Sequence, residues 1–317
     1  MKTFYTHGIF RSGLAVLLLA FVAQAAFAGP LRDRIAQQVA AQQNDALDDG
    51  EADAELAALS PDVQVVRDVA YGRANEQRFD VYLPRRTQLH NAPVILMVHG
   101  GGWYRGDKAM RSVVDNKARH WVRDGFIFIS TNYRLVPDAA PVEQAEDVAR
   151  ALAVAQRNAA AWGGDPSRFI LMGHSAGAHL VALLTASPEK AARVGASPWL
   201  GTVALDGAAL DVVQMMEAPH APLFDRAFGD NPLYWRLASP YHQLTAGAPP
   251  ILLVCSTQRG ASCPQAKHFA TRAAALRIRA HVSEQELSHR EINQLLGEEG
   301  RYTATVDAFI RTLTSAR

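Results

Sequence analysis

The sequence predicts an α/β fold with a mostly parallel sheet. Three observations carry this: short apolar runs, helix-length segments between them, and glycine, asparagine or proline at the junctions. Two strands are expected first, Val65 to Tyr71 and Arg78 to Leu83, joined through Gly72 and Asn75. Pro93–His99 and Phe126–Asn132 are unbroken runs, as in strands covered on both faces. A helix follows over Val142 to Trp162, with Ala151, Val154 and Ala155 at core-facing spacings, and Gly163-Gly164-Asp165-Pro166 ends it. Arg168–Met172 is the next strand and Ala176 to Leu184 the next helix. Later strands are expected at Gly201–Leu205, Pro250–Val254 and Ala280–Val282, and a helix at Glu291–Leu296. Strands alternating with helices place helices on both faces of the sheet.

The chain of 317 residues is 49% hydrophobic, enough for one large core from about residue 61 to 317. Its 32 basic and 31 acidic residues nearly cancel. That balance argues against a nucleic-acid partner and against attraction to an anionic membrane surface. Residues 1–28 read as a signal peptide: Lys2 and Arg11 are the only charges, Leu14–Ala23 is apolar, and Ala26-Phe27-Ala28 precedes Gly29. The apolar run is shorter than the roughly 20 residues of a spanning helix, so cleavage and export, to a periplasm or beyond, are expected. Residues 29–60 form an acidic leader, with Leu31, Ile35 and Val39 spaced by four before Asp45, Asp48, Asp49, Glu51, Asp53 and Glu55. Cys255 and Cys263, eight positions apart, are candidate disulfide partners in an oxidising compartment.

Two glycine motifs carry the chemistry. Gly173-His174-Ser175-Ala176-Gly177 follows a strand and opens a helix. A serine on such a crowded turn needs small neighbours, and its hydroxyl projects from the sheet edge as a nucleophile. His99-Gly100-Gly101-Gly102-Trp103 follows an earlier strand, and its glycines let main chain approach a ligand. Acyl transfer builds an oxyanion, and preorganised N–H groups stabilise it by about 3–4 kcal/mol per donor. Gly101, Gly102 and Ala176 are the expected donors.

These segments, with Asn132-Tyr133-Arg134-Leu135 and Gly164-Asp165-Pro166, resemble the α/β-hydrolase superfamily. They are most similar to its hormone-sensitive-lipase-like and feruloyl-esterase-like carboxylesterases. The resemblance covers roughly residues 63–317. It implies a three-layer fold with a sheet of about eight strands, a Ser–acid–His triad, a small-molecule ester substrate and no cofactor. No histidine, cysteine or aspartate set has zinc-like spacing, so no metal is expected.

The base should be a late histidine. His281 falls inside the expected strand Ala280–Val282, whereas His289 precedes a helix, as in the family, and is assigned the role. The acid departs from the family pattern. Relatives place it after the seventh strand, but Ile251 to Ser283 contains no aspartate or glutamate. Asp206, directly after the sixth strand Gly201–Leu205, resembles the arrangement of some lipases of the superfamily and is the first choice, with Asp211 the second. Residues 208–248, rich in Met, Phe, Tyr and Trp, read as a small cap over the site. The site predicts serine ester hydrolysis. Amide or formamide hydrolysis and acyl transfer would use the same groups, and a non-catalytic binding protein is the different-class alternative.

Overall fold

The computed structural model describes residues 60–315. The expected signal peptide and, apart from Ser60, the acidic leader lie outside them. Eight strands form one sheet: β1 (Val63–Ala70), β2 (Arg78–Pro84), β3 (Ala92–Val98), β4 (Ile127–Thr131), β5 (Gly164–His174), β6 (Gly201–Leu205), β7 (Ile251–Ser256) and β8 (Ala280–Gln285). Their order is β1-β2-β4-β3-β5-β6-β7-β8. β2 runs antiparallel to both β1 and β4, and every other pairing is parallel.

The apolar runs sort by alternation onto the two faces. On β3, Val94, Leu96 and Val98 pack against α2 (Pro141–Asn158) and α3 (Ala176–Ala186), through Val148, Leu152, Leu180 and Leu184. Ile95 and Met97 face the other way, onto α1 (Arg111–Arg123) and α11 (Arg301–Thr314), through Val113, Trp121, Val306 and Ile310. Each such fully buried aliphatic side chain contributes about 1.5–3 kcal/mol relative to exposure. α4 (Pro188–Arg193) extends the first layer, α9 (Ser262–Ala275) covers β7 on that side, and α10 (His289–Gln294) joins the second.

Residues 208–248 form the expected cap, with α5 (Val212–Glu217), α6 (Pro222–Phe228), α7 (Pro232–Ala238) and α8 (Pro240–Gln243). Prolines at the first turn start three of these, where the missing N–H costs nothing. Met215, Met216 and Phe228 are buried in the main core cluster, so the cap is welded to the domain. Among the described residues no helix is long and apolar enough to cross a membrane.

Register assembles the site. Val98 is paired with Gly173, His174 with Leu205, and Leu205 with Val254. The residues after β3, β5, β6 and β7 therefore emerge side by side at the carboxyl edge of the sheet, where α/β proteins place their ligands.

Candidate active site

Ser175 stands between β5 and α3 with φ 54° and ψ −118°, a conformation that costs a non-glycine residue about 1–3 kcal/mol. Packing enforces it. A Cβ on Gly173 would lie 2.4 Å from the Gly177 carbonyl oxygen, and one on Gly177 would lie 2.3 Å from that of Val98. The Ser175 amide donates to the Leu205 carbonyl at 2.9 Å, pinning the turn to β6. The side chain stays partly exposed.

His289 begins α10. Ser288 caps the helix by accepting from the Glu291 amide at 3.2 Å, and Glu291 accepts from the Ser288 amide at 2.8 Å. This capping box fixes where His289 enters. Ser175 Oγ donates to His289 Nε2 at 3.0 Å, and His289 Nδ1 donates to Asp206 Oδ2 at 2.5 Å. His174 lies against this imidazole, ring centres 4.4 Å apart, and its Nε2 donates to the His289 carbonyl at 3.0 Å.

Asp206 is fully buried and, like Ser175, has a positive φ, 53°. Burial alone would raise its pKa. The Arg259 guanidinium, the His289 contact and the Ser262 hydroxyl outweigh burial and hold it well below the usual carboxylate range. Oδ1 accepts from the Ser256 amide at 2.7 Å and from Ser262 Oγ. Oδ2 accepts from Arg259 Nη1 at 2.8 Å. The loop after β7, lacking an acid, thus supplies the cradle for an acid carried by β6.

The structure therefore brings Ser175, His289 and Asp206 together and keeps the rival residues away. Asp211 caps α5, accepting from the Gln214 amide at 3.2 Å, with His242 and His268 at 3.4 and 3.6 Å. His281 sits exposed on β8 beside Phe309.

Gly102 and Ala176 line the cleft beside Ser175, and no acceptor among the described residues takes their amides. Gly101 is not among the residues that wall this cleft, and its amide likewise has no acceptor among the described residues. Its carbonyl accepts from the amides of Tyr104 and Arg105, and its φ of 108° makes the turn. His99 is buried, donates Nδ1–H to the Gly100 carbonyl at 2.7 Å and stacks on Tyr133. Burial lowers its pKa, so it braces the loop as a neutral ring. Trp103 Nε1 donates to His179 Nδ1 at 3.2 Å, and His179 Nε2 donates to the Ala238 carbonyl at 2.7 Å. That link ties the glycine loop to both α3 and the cap. The cleft itself holds about 30 Å³ and is walled by Trp103, Ala208, Ala209, Leu223 and Phe224.

Sequence reasoning missed Arg259, Ser256 and Ser262. Their one signal was the absence of any acid in their loop.

The family model for BD-FAE matches residues 79–267, more than half of the chain. The chain belongs to the BD-FAE family. It is similar to the probable isoprenylcysteine alpha-carbonyl methylesterase ICMEL1 of Oryza sativa subsp. japonica, 35% identical over 139 residues, 43% of this chain and 32% of that protein. It is also similar to carboxylesterase NlhH of Mycobacterium tuberculosis, 32% identical over 184 residues, 56% of this chain and 55% of that one. The chain thus spans about a third of the plant relative's length and about half of the mycobacterial one's. In fold it is like esterase B from Lactobacillus rhamnosis, with a TM-score of 0.65 at 20% identity, covering 93% of this chain and 96% of that one. The fold is that of the α/β hydrolases.

Proposed function

We propose that this protein is a serine hydrolase that cleaves small carboxylic esters through an acyl-Ser175 intermediate. The observation that carries the reading is the unbroken relay from Ser175 Oγ through both nitrogens of His289 to Asp206. His289 Nε2 takes the Ser175 proton as Oγ attacks the ester carbonyl carbon. The carbonyl oxygen becomes an oxyanion facing the amides of Gly102 and Ala176. The imidazolium, steadied by Asp206, then protonates the leaving alcohol as the carbon–oxygen bond breaks. Water, deprotonated by the same imidazole, releases the acid and restores Ser175.

The non-catalytic reading drew its support from the missing acid after β7, and Asp206 fills that role from β6. Nothing in the site favours an amide over an ester. The cleft of about 30 Å³ holds roughly two waters, which supports a compact acyl group. Residues 1–28 support export, and so does the Cys255–Cys263 bridge, since disulfides persist in oxidising compartments.

The test is turnover of p-nitrophenyl acetate together with stoichiometric labelling by a fluorophosphonate. Wild type should do both and Ser175→Ala neither. Undiminished turnover by Ser175→Ala would overturn the reading.

A further inference from the structure

The loop after β7, where relatives of this fold would carry an acid, carries a cation. Arg259 lies in the loop between β7 and α9, closed at its ends by the Cys255–Cys263 disulfide. Within that loop Ser256, Arg259 and Ser262, each three residues apart, all reach Asp206. Arg259 Nη1 also donates to the Asp206 carbonyl at 3.2 Å. The same Nη1 is 3.0 Å from His289 Nδ1. Nδ1 needs its proton for Asp206, 2.5 Å away, so Nη1 and Nδ1 are two donors sharing one acceptor, Oδ2.

Building on the hydrolase reading, we propose that Arg259 is a positioning residue of the triad, which locks the Asp206 carboxylate in the imidazole plane and weakens its hold on a protonated His289. The guanidinium takes part of the Oδ2 charge and adds a positive charge beside the ring. Both effects disfavour the imidazolium and keep the base neutral to lower pH. The arrangement exchanges some base strength for orientation.

Other charged and titratable groups lie around His289 besides Arg259, whose Nη1 is at 3.0 Å from Nδ1. His174 from the end of β5 contacts the ring and the carbonyl. Glu291 and Arg290 are on the same helix, and Glu291 is engaged with Ser288. Lys117 from α1 donates to the Asn293 carbonyl, at the opposite end of α10. Tyr302 from α11 donates to the Ile292 carbonyl at 2.8 Å.

The test compares Arg259→Met, which removes the charge at similar volume, with Arg259→Lys, which keeps it. Two readouts are taken: the pH profile of kcat/KM on p-nitrophenyl acetate, and the titration of His289 by NMR in histidine-labelled protein, assigned through its loss in His289→Gln. In Arg259→Met the acid limb and the NMR midpoint should both rise by about one pH unit or more. Its kcat should fall roughly ten-fold or more, with KM within about two-fold, because orientation is lost while binding is not. In Arg259→Lys the midpoint should stay near wild type while kcat remains reduced. If Arg259→Met does not fold, Arg259→Gln takes its place with the same expected shift. An unmoved midpoint in the neutral variant, or an equal shift in Arg259→Lys, would overturn the proposal. Should the wild type hydrolyse no ester, the hydrolase reading fails, and the NMR titration still decides what Arg259 does to His289.

Discussion

His179 offers a quantitative test of how the glycine loop is held. Its ring is fully buried, accepts from Trp103 at Nδ1 and donates from Nε2 to the Ala238 carbonyl. Burial pushes its pKa from 6.5 down to about 4, against the pull of the Ala238 carbonyl and with a small push from Lys190. The unfolded chain therefore takes up a proton here below about pH 6.5, while the folded protein resists until about pH 4. Stability from this site is complete above pH 6.5 and is lost progressively as pH falls toward 4. At about 1.4 kcal/mol per pH unit of difference, the loss is on the order of 3 kcal/mol. His179→Gln replaces the acceptor and the donor with a group that does not titrate. Urea unfolding at pH 7, 6, 5 and 4 should show wild type losing about 3 kcal/mol more than His179→Gln across that range. Parallel pH dependences for the two proteins would refute the reasoning.

The other predictions concern the cradle and the cleft. Cys255→Ala with Cys263→Ala opens a short loop and should lower stability by about 2–3 kcal/mol, read as a fall in Tm. Because that loop holds Asp206, the same variant should lose kcat more than it raises KM. The small cleft behind Trp103 and Phe224 predicts kcat/KM for p-nitrophenyl octanoate at least about ten-fold below that for the acetate, since overfilling a packed wall costs about 1–3 kcal/mol. Phe224→Ala should narrow that gap by opening this wall.

What was legible in the sequence was local. The Gly173–Gly177 turn and the His99–Trp103 loop each declare their geometry in a few consecutive residues, because small side chains are needed where main chain crowds main chain. His289 was legible from its place before a helix, although α10 begins at His289 rather than at Glu291. Asp206 came from the missing acid after the seventh strand together with the resemblance to lipases that carry theirs after the sixth.

The rest depends on contacts between distant segments. Arg259 meets Asp206 because β6 and β7 pair with Leu205 beside Val254. Nothing near residue 259 announces that. α1 went unread because polar residues interrupt its apolar stripe, and one of them, Lys117, is buried by donating to the carbonyls of Ser112 and Asn293. β8 runs three residues past the expected Val282. Ser283, Glu284 and Gln285 lack an apolar pattern but pair with Val254, Cys255 and Ser256 along a half-exposed edge. Edge strands are specified by their partner's hydrogen bonds as much as by burial.

The central claim is that β6 carries the acid of the triad. Its most direct measurement is kcat on p-nitrophenyl acetate for Asp206→Asn and Asp211→Asn, each shown to be folded. Asp206→Asn should lower kcat by about 10⁴, because His289 loses the partner that keeps its proton on Nδ1. Asp211→Asn, a helix cap away from the imidazole, should stay within about three-fold of wild type. A loss confined to Asp211→Asn, or an Asp206→Asn enzyme near full activity, would contradict the account.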